Sequence, residues 1–415
     1  MSPGMALQGS TSVTGIANRR SSSSSTAGSS RGIGIRTAAD ASERSHGQLH
    51  VYDGNGKGKS QAALGVVLRT IGLGICEQKR TRVLLLRFLK GPGRSYDEDA
   101  AIEALQQGFP HLIDQVRTGR GEFFTADEAT KFDRQEAQRG WDIAKGAIAS
   151  ALYSVVVLDE LSPVLDLGLL DITDVVQTLA AKPGGMEVIV TGRGAPRQLV
   201  QIADLHSEMR AHRRKDLWLD EEGYPDGAAN PGLDGIEIYT GEGKGKSTSA
   251  LGKALQAIGR GISQDKSHRV LILQWRKGGS GYTEDAAIAA LRESYPHLVD
   301  HLRSGRDAIV WRGQQQPIDY VEAERAWEIA RAAIASGLYK TVILDELNPT
   351  VDLELLPVEP IVQTLLRKPS ETEVIITGRC KNPPAYFDLA SVHSEMVCHK
   401  HYAERGVDLK RGVDY

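Results

Sequence analysis

From residue 47 onward the chain alternates short aliphatic runs with longer segments whose apolar positions recur every three or four residues. Leu49–Tyr52, Val83–Phe88, Val155–Leu158 and Val188–Val190 present apolar side chains on both faces, the pattern of buried parallel strands. Between them, Ala62–Ile71 and Glu136–Ala149 carry helical spacing. Strands separated by helices predict a doubly wound α/β domain, a mostly parallel sheet covered by helices. Ligands are then expected at the carboxyl ends of the strands.

The same order of segments occurs twice. Val-Tyr-Asp-Gly-Asn-Gly-Lys-Gly-Lys-Ser from Val51 returns as Ile-Tyr-Thr-Gly-Glu-Gly-Lys-Gly-Lys-Ser from Ile238. Arg82-Val-Leu-Leu-Leu returns as Arg269-Val-Leu-Ile-Leu, and Glu98-Asp-Ala-Ala-Ile as Glu284-Asp-Ala-Ala-Ile. The segments Val155-Val-Val-Leu-Asp-Glu-Leu, Val188-Ile-Val-Thr-Gly-Arg and His206-Ser-Glu-Met recur from Thr341, Val374 and His393. Register slips once, near Gly93, and is regained late. This is a duplicated and fused domain rather than a solenoid of short units. The pattern divides the chain into an extension (1–46), a first repeat (47–212), a linker rich in charge, Gly and Pro (213–234) and a second repeat (235–415).

The Gly-x-Gly-Lys-Gly-Lys-Ser segments follow a strand and precede a helix, the context a phosphate-binding P-loop requires. The candidate loop residues are Gly54, Asn55, Gly56, Lys57, Gly58, Lys59 and Ser60 in the first copy. In the second they are Gly241, Glu242, Gly243, Lys244, Gly245, Lys246, Ser247 and Thr248. The amides of Gly56, Lys57 and Gly58 are expected to point inward at phosphate oxygens, helped by the positive end of the following helix. Lys59 and Lys246 are expected to hold phosphate, and Ser60 and Ser247 to ligate Mg²⁺. The first Gly of the general motif is replaced by Asp53 and Thr240, and an acid beside phosphate counts against the first copy. Asp159-Glu160 and Asp345-Glu346 close apolar strands and are candidate metal-side acids. Arg193 and Arg379 end the next strands, either as bidentate phosphate clamps or as surface ion pairs.

Composition narrows the class. Of the 415 residues, 40% are hydrophobic and 25% charged, and the formal net charge is −3. That is a soluble globular composition with no overall field favouring nucleic acid or an anionic membrane surface. No apolar run is long enough for a membrane span. Three cysteines without CxxC spacing fit a reducing compartment, and His399 and His401 beside Cys398 are too few for a zinc site. The first 46 residues contain an unbroken Ser21–Ser25 run, Arg19, Arg20, Arg31 and Arg36, and no acid before Asp40. Disorder is expected there. The segment reads as a flexible extension of a cytoplasmic protein or as a plastid or other organelle transit peptide.

The loop, the Leu-Asp-Glu-Leu and Thr-Gly-Arg strand ends and the tail Lys400-His…Arg411-Gly-Val-Asp-Tyr stand together in one order. In this the chain resembles the P-loop ATP:corrinoid adenosyltransferases. The resemblance covers nearly all of each copy and implies a RecA-like P-loop fold. It further implies ATP as co-substrate with Mg²⁺, attack of a cob(I) corrinoid on the ribose C5′, and tripolyphosphate as leaving group. The family forms homodimers, so the tandem chain would be an intramolecular pseudo-dimer or a homo-oligomer, with a cobalt-reducing protein as a further partner. A Phe-x-Trp pair of the family approaches the corrin. Each copy keeps one aromatic at that place, Phe123 in the first and Trp311 in the second. The family's helix arginine, a phosphate contact, is Arg69 in the first copy and Gln256 in the second. The second copy keeps Thr240, Trp311 and the tail, and is the more complete by this pattern. A generic P-loop ATPase or kinase using Glu160 or Glu346, and a non-catalytic ATP-binding regulator, are the alternative readings.

Overall fold

The computed structural model describes residues 47–77, 81–91, 93–122, 124–213 and 233–415. The first half runs β1 (Leu49–Asp53), α1 (Lys59–Glu77), β2 (Val83–Arg87), α2 (Asp97–Gly108), β3 (Ile113–Arg117) and α3 (Lys131–Ser150). It continues with β4 (Val155–Asp159), α4 (Leu161–Asp166), α5 (Ile172–Ala180), β5 (Glu187–Thr191), α6 (Arg197–Ile202) and β6 (Leu205–Arg213). The second half runs β7 (Leu233–Thr240), α7 (Lys246–Ser263), β8 (Arg269–Gln274), α8 (Glu284–Ser294), β9 (Val299–Arg303) and α9 (Pro317–Ser336). It ends with β10 (Tyr339–Asp345), α10 (Leu347–Asp352), α11 (Val358–Leu366), β11 (Glu373–Thr377) and β12 (Ala390–Lys400).

All twelve strands form one sheet, in the order β3-β2-β4-β5-β1-β6-β12-β7-β11-β10-β8-β9. Every neighbouring pair is parallel except β6 and β12, which are antiparallel and join the halves. Met209 pairs with Met396 in that ribbon, and the repeat-equivalent residues fall symmetrically about them. A pseudo-twofold axis therefore passes between the two methionines, and the strands of the two halves end at opposite edges of the sheet.

The alternation of strand side chains sets the layers. Leu85, Val157 and Ile343 enter one apolar core that runs through both halves under α1, α2, α7 and α8. Leu84, Leu86, Val156 and Leu158 enter a second core within the first half, and Val342 and Leu344 a third within the second half. Thus the mostly parallel, helix-covered sheet expected from the sequence is present in both halves. The helix expected over Ala62–Ile71 extends over Lys59–Glu77, whereas the strand expected over Val83–Phe88 ends one residue earlier, at Arg87. Arg213 ends β6, Leu233 and Asp234 begin β7, and residues 214–232 of the expected linker lie outside the described residues, as does the 1–46 extension. Among the described residues no helix is long and apolar enough to cross a membrane.

Candidate functional site

Each half carries a glycine loop at the carboxyl end of its first strand. Gly54 and Gly241 adopt φ of 97° and 96°, and a Cβ on either would lie 2.4 Å from the carbonyl oxygen of Met209 or Met396. Only glycine fits there. The loops are tied to the central ribbon: Gly56 N–H donates to Met209 O at 2.6 Å, and Gly243 N–H to Met396 O at 2.7 Å. This corrects the expectation that the Gly56 amide faces inward for phosphate. Lys59 Nζ donates to Gly56 O at 2.5 Å and Lys246 Nζ to Gly243 O at 2.6 Å, so each lysine folds back under its own loop. Ser60 Oγ lies 3.5 Å from Glu160 Oε1, and Ser247 Oγ 3.5 Å from Glu346 Oε1.

The acids come from the ends of β4 and β10. Asp159 accepts from Thr191 Oγ1 at 2.6 Å and Lys90 Nζ at 2.7 Å. Asp345 accepts from Thr377 Oγ1 at 2.6 Å, Lys277 Nζ at 2.6 Å and Gln274 Nε2 at 2.9 Å. The same threonine hydroxyls accept the backbone N–H of Glu160 and Glu346, at 3.0 and 3.1 Å. Both glutamates sit in the left-handed region, with φ of 62° and 66°. Burial opposes ionisation of Asp159 and Asp345, but the adjacent lysine together with hydrogen bonds from the threonine and serine hydroxyls holds each below the usual carboxylate range. Burial, followed by the neighbouring charge of Asp159, pushes Glu160 up. Lys90 and Lys277 were not singled out from the sequence. Their signal was the Lys-Gly pair that follows β2 and β8 in both copies.

Among the described residues no group of three or more His, Cys, Asp or Glu side chains is arranged to hold a metal. What each site offers is one hydroxyl and one carboxylate in reach of each other, while the aspartate is engaged by lysine. Ala195 N–H donates to Asp53 at 3.3 Å and His206 Nε2 lies 3.8 Å from it. Burial works to raise its pKa, yet hydrogen bonds from His206, Gly54 and Ala195 keep it low. Asn55 Oδ1 accepts from Ala211 N–H at 2.9 Å, whereas its counterpart Glu242 pairs with Arg379 at 3.2 Å on the surface. Arg193 is close enough to act on the charge of Glu160. Lys57 is partly buried on its loop. Lys244 is ion-paired with Asp414 of the tail and donates to Tyr402 Oη at 2.8 Å.

Arg69 lies away from the loop of its own half. Its buried guanidinium lies 3.5 Å from Thr248 Oγ1 and 3.2 Å from Glu284 Oε2 in the second half, and donates to Asp414 O at 2.7 Å. The reason is geometric. α1 runs back from the first loop toward the opposite edge of the sheet, where the strands of the second half end. The counterpart Gln256 faces the first half, 3.5 Å from Gln61 and 3.1 Å from Glu98.

Trp311 stands 62% exposed on the loop between β9 and α9. The loop is linked to the acid: Arg276 donates to Val310 O at 3.2 Å and lies 3.6 Å from Glu346. Phe123 lies outside the described residues. Its neighbour Phe124 packs under Arg120 at 4.1 Å.

The chain matches the family of ATP:corrinoid adenosyltransferases BtuR/CobO/CobP twice, over residues 45–216 and again over 233–415. It is 72% identical over 386 residues to an uncharacterized protein of Nostoc sp., covering 92% of this chain and 99% of that one. It is 33% identical over 181 residues to the corrinoid adenosyltransferase of Escherichia coli K12, covering 43% of this chain and 85% of that enzyme. A corrinoid adenosyltransferase of Pseudomonas aeruginosa is 34% identical over 163 residues, 39% of this chain and 74% of that one. With both loops, both acid pairs and both matches in hand, the chain belongs to the ATP:corrinoid adenosyltransferase family, in tandem duplication.

Proposed function

We propose that the protein transfers the 5′-deoxyadenosyl group of ATP to a cob(I) corrinoid and releases tripolyphosphate. The cobalt(I) electron pair forms the Co–C5′ bond as the C5′–O bond breaks, the leaving oxygen keeps its pair, and cobalt becomes formally Co(III). The nucleophile arrives already reduced, so no protein base is needed, and the electrons come from an external cobalt reductant. The protein's contribution is orientation, cationic stabilisation of the triphosphate and exclusion of water. Lys59 and Lys246, released from their loop carbonyls, would meet phosphate, with Arg193 at the strand ends of the first half and Arg379 at those of the second.

The residues fit Mg²⁺, because Ser60 with Glu160 and Ser247 with Glu346 supply hard oxygen donors and triphosphate would complete the shell. Bound there, the ion would neutralise charge on the departing triphosphate. The observation that carries the transferase reading at the second loop is Arg276, which ties Glu346 to the backbone beside exposed Trp311. An exposed aromatic on a loop linked to Glu346 supports the reading, because a corrin ring would pack on such a surface. The names of the E. coli and P. aeruginosa relatives support the same reading.

The test is an anaerobic assay with ATP, Mg²⁺ and reduced cobalamin or cobyrinic acid diamide, following cob(I) loss and tripolyphosphate release together. Matched formation of adenosylated product and tripolyphosphate supports the transferase. Orthophosphate without adenosylation would indicate a hydrolase, and ATP binding without turnover a regulator.

A further inference from the structure

We propose that Arg69, contributed by the first half, is a positioning residue for the loop of the second half, and that Gln256 leaves the first loop without an equivalent cation. The inference rests on the transferase reading for what a loop does and concerns which loop is equipped to do it.

The argument starts from two buried carboxylates at equivalent places, Glu98 (3% exposed) and Glu284 (0% exposed). A buried carboxylate needs a cation beside it. Glu284 receives one from across the axis, Arg69 at 3.2 Å. Glu98, on α2, receives one from β2 of its own half, Arg87 at 3.0 Å, and the residue facing it across the axis is the neutral Gln256. The strand position equivalent to Arg87 is Gln274, which donates to Asp345 instead. The order of arginine and glutamine is thus reversed around the two glutamates, although both arginines belong to the first half and both glutamines to the second. Each buried glutamate has one of these two guanidiniums beside it, arriving from a different place, and Glu284 has Arg303 at 3.6 Å as well.

Location decides the chemistry. In the second half the guanidinium rests against the first turn of α7, next to Thr248 and one residue from Ser247, and is fixed by the carbonyls of Val413 and Asp414. Positive charge at the start of a phosphate-binding helix adds to the helix's own field. The strand position is then free to hold Asp345. In the first half the guanidinium sits at the end of β2 among Glu98, Asp99 and Gln115, and only an amide faces Gln61. The helices cross closely enough to make this exchange specific: a Cβ on Gly65 would lie 2.0 Å from Thr248 O, and one on Gly252 2.0 Å from Gln61 O.

The experiment is calorimetric titration of MgATP into two single-loop chains, Lys59→Ala (second loop intact) and Lys246→Ala (first loop intact). Adding Arg69→Gln is expected to weaken ATP about tenfold or more in the Lys59→Ala chain and about twofold or less in the other, with Arg69→Lys recovering part of the loss. Transplanting the arrangement, Gln256→Arg with Arg87→Gln, is expected to strengthen ATP at the first loop in the Lys246→Ala chain, a gain that misfolding cannot imitate. Arg69→Gln with Glu284→Gln removes both buried charges and serves as the folding control. The proposal is overturned if Arg69→Gln acts on the first loop or on both loops equally. It is also overturned if the transplant brings no gain, or if the charge-free pair restores ATP binding along with stability. Failure of the unmodified chain to adenosylate any corrinoid, with these affinities behaving as stated, would remove the transferase reading and leave the assignment standing. Absence of ATP binding to the unmodified chain would overturn both.

Discussion

Lys246 is the residue whose charge state the fold alters most usefully. Burial, opposed by Glu346, brings its pKa down to about 8. Phosphate beside it would stabilise the ammonium form and raise that value, so binding takes up a proton near pH 8. Titrations of MgATP into the Lys59→Ala chain in buffers of different ionisation enthalpy should show this uptake, and affinity should fall as pH rises past about 8. A buffer-independent enthalpy would argue against a phosphate contact by this lysine. In the adenosylation assay, Lys246→Ala should reduce the rate by about a hundredfold or more. If Lys59→Ala does so as well, the loops cooperate.

Glu284 gives the complementary pH effect. Burial works to raise it, but Arg69 and Lys277 hold it at about 2, against an ordinary value of 4.5. A carboxylate lowered in the folded state stabilises the fold above its unfolded value, and this is lost as pH falls through the folded one. Stability should therefore hold above about pH 5 and decline between 4.5 and about 2, by an amount on the order of 3 kcal/mol for this group. Urea midpoints measured across that range check it. The Arg69→Gln, Glu284→Gln pair should flatten the decline.

At the scale of elements, α1 works at both ends. Its first turn closes the first loop, and about 15 Å further along it delivers Arg69 to the second. The close crossing of α1 and α7 sets that delivery, so Gly65→Ala should be costly although alanine favours helix. Its methyl would meet a backbone carbonyl that has no rotamer to yield. A loss of about 1–3 kcal/mol is expected in urea unfolding. ATP binding should weaken at the second loop as well, because Thr248 is the residue displaced. Unchanged stability would mean the helices separate readily. Loop and helix were legible in the sequence, from the glycine spacing and the apolar period. The strands β3 and β6 were not, because β3 is only partly buried beyond Ile113 and the first residues of β6 alternate between buried and partly exposed, so both lack the continuous apolar run of the central strands.

At the scale of the whole molecule, the shared core under α1 and α7 and the continuous sheet make the halves interdependent. The tail adds a strap: Gly412 O accepts from Thr70, Tyr415 O from Thr283, and Lys410 pairs with Glu187 at 2.9 Å. Unfolding should be a single transition, with tryptophan fluorescence and far-ultraviolet circular dichroism coincident. Separated transitions would show that each half folds alone. Removing residues 409–415 should lower the midpoint and weaken ATP at the second loop more than at the first, since it strips partners from Lys244 and Arg69. Equal weakening at both loops would mark the tail as a general brace.

The sequence by itself determined what each repeat is made of: the parallel strands, the Lys-Ser loops, the acid-ended strands and the duplication itself. All of these follow from local spacing, which a linear reading preserves. It also showed that the repeats differ at Arg69 and Gln256, but not which loop each of them lies beside. Only the tertiary structure decided that placement. The antiparallel joining of β6 to β12 turns the two halves end for end, so a helix that starts at one loop finishes beside the other. Which loop a residue serves is a property of that axis, and the axis is made by pairing between strands about 187 residues apart.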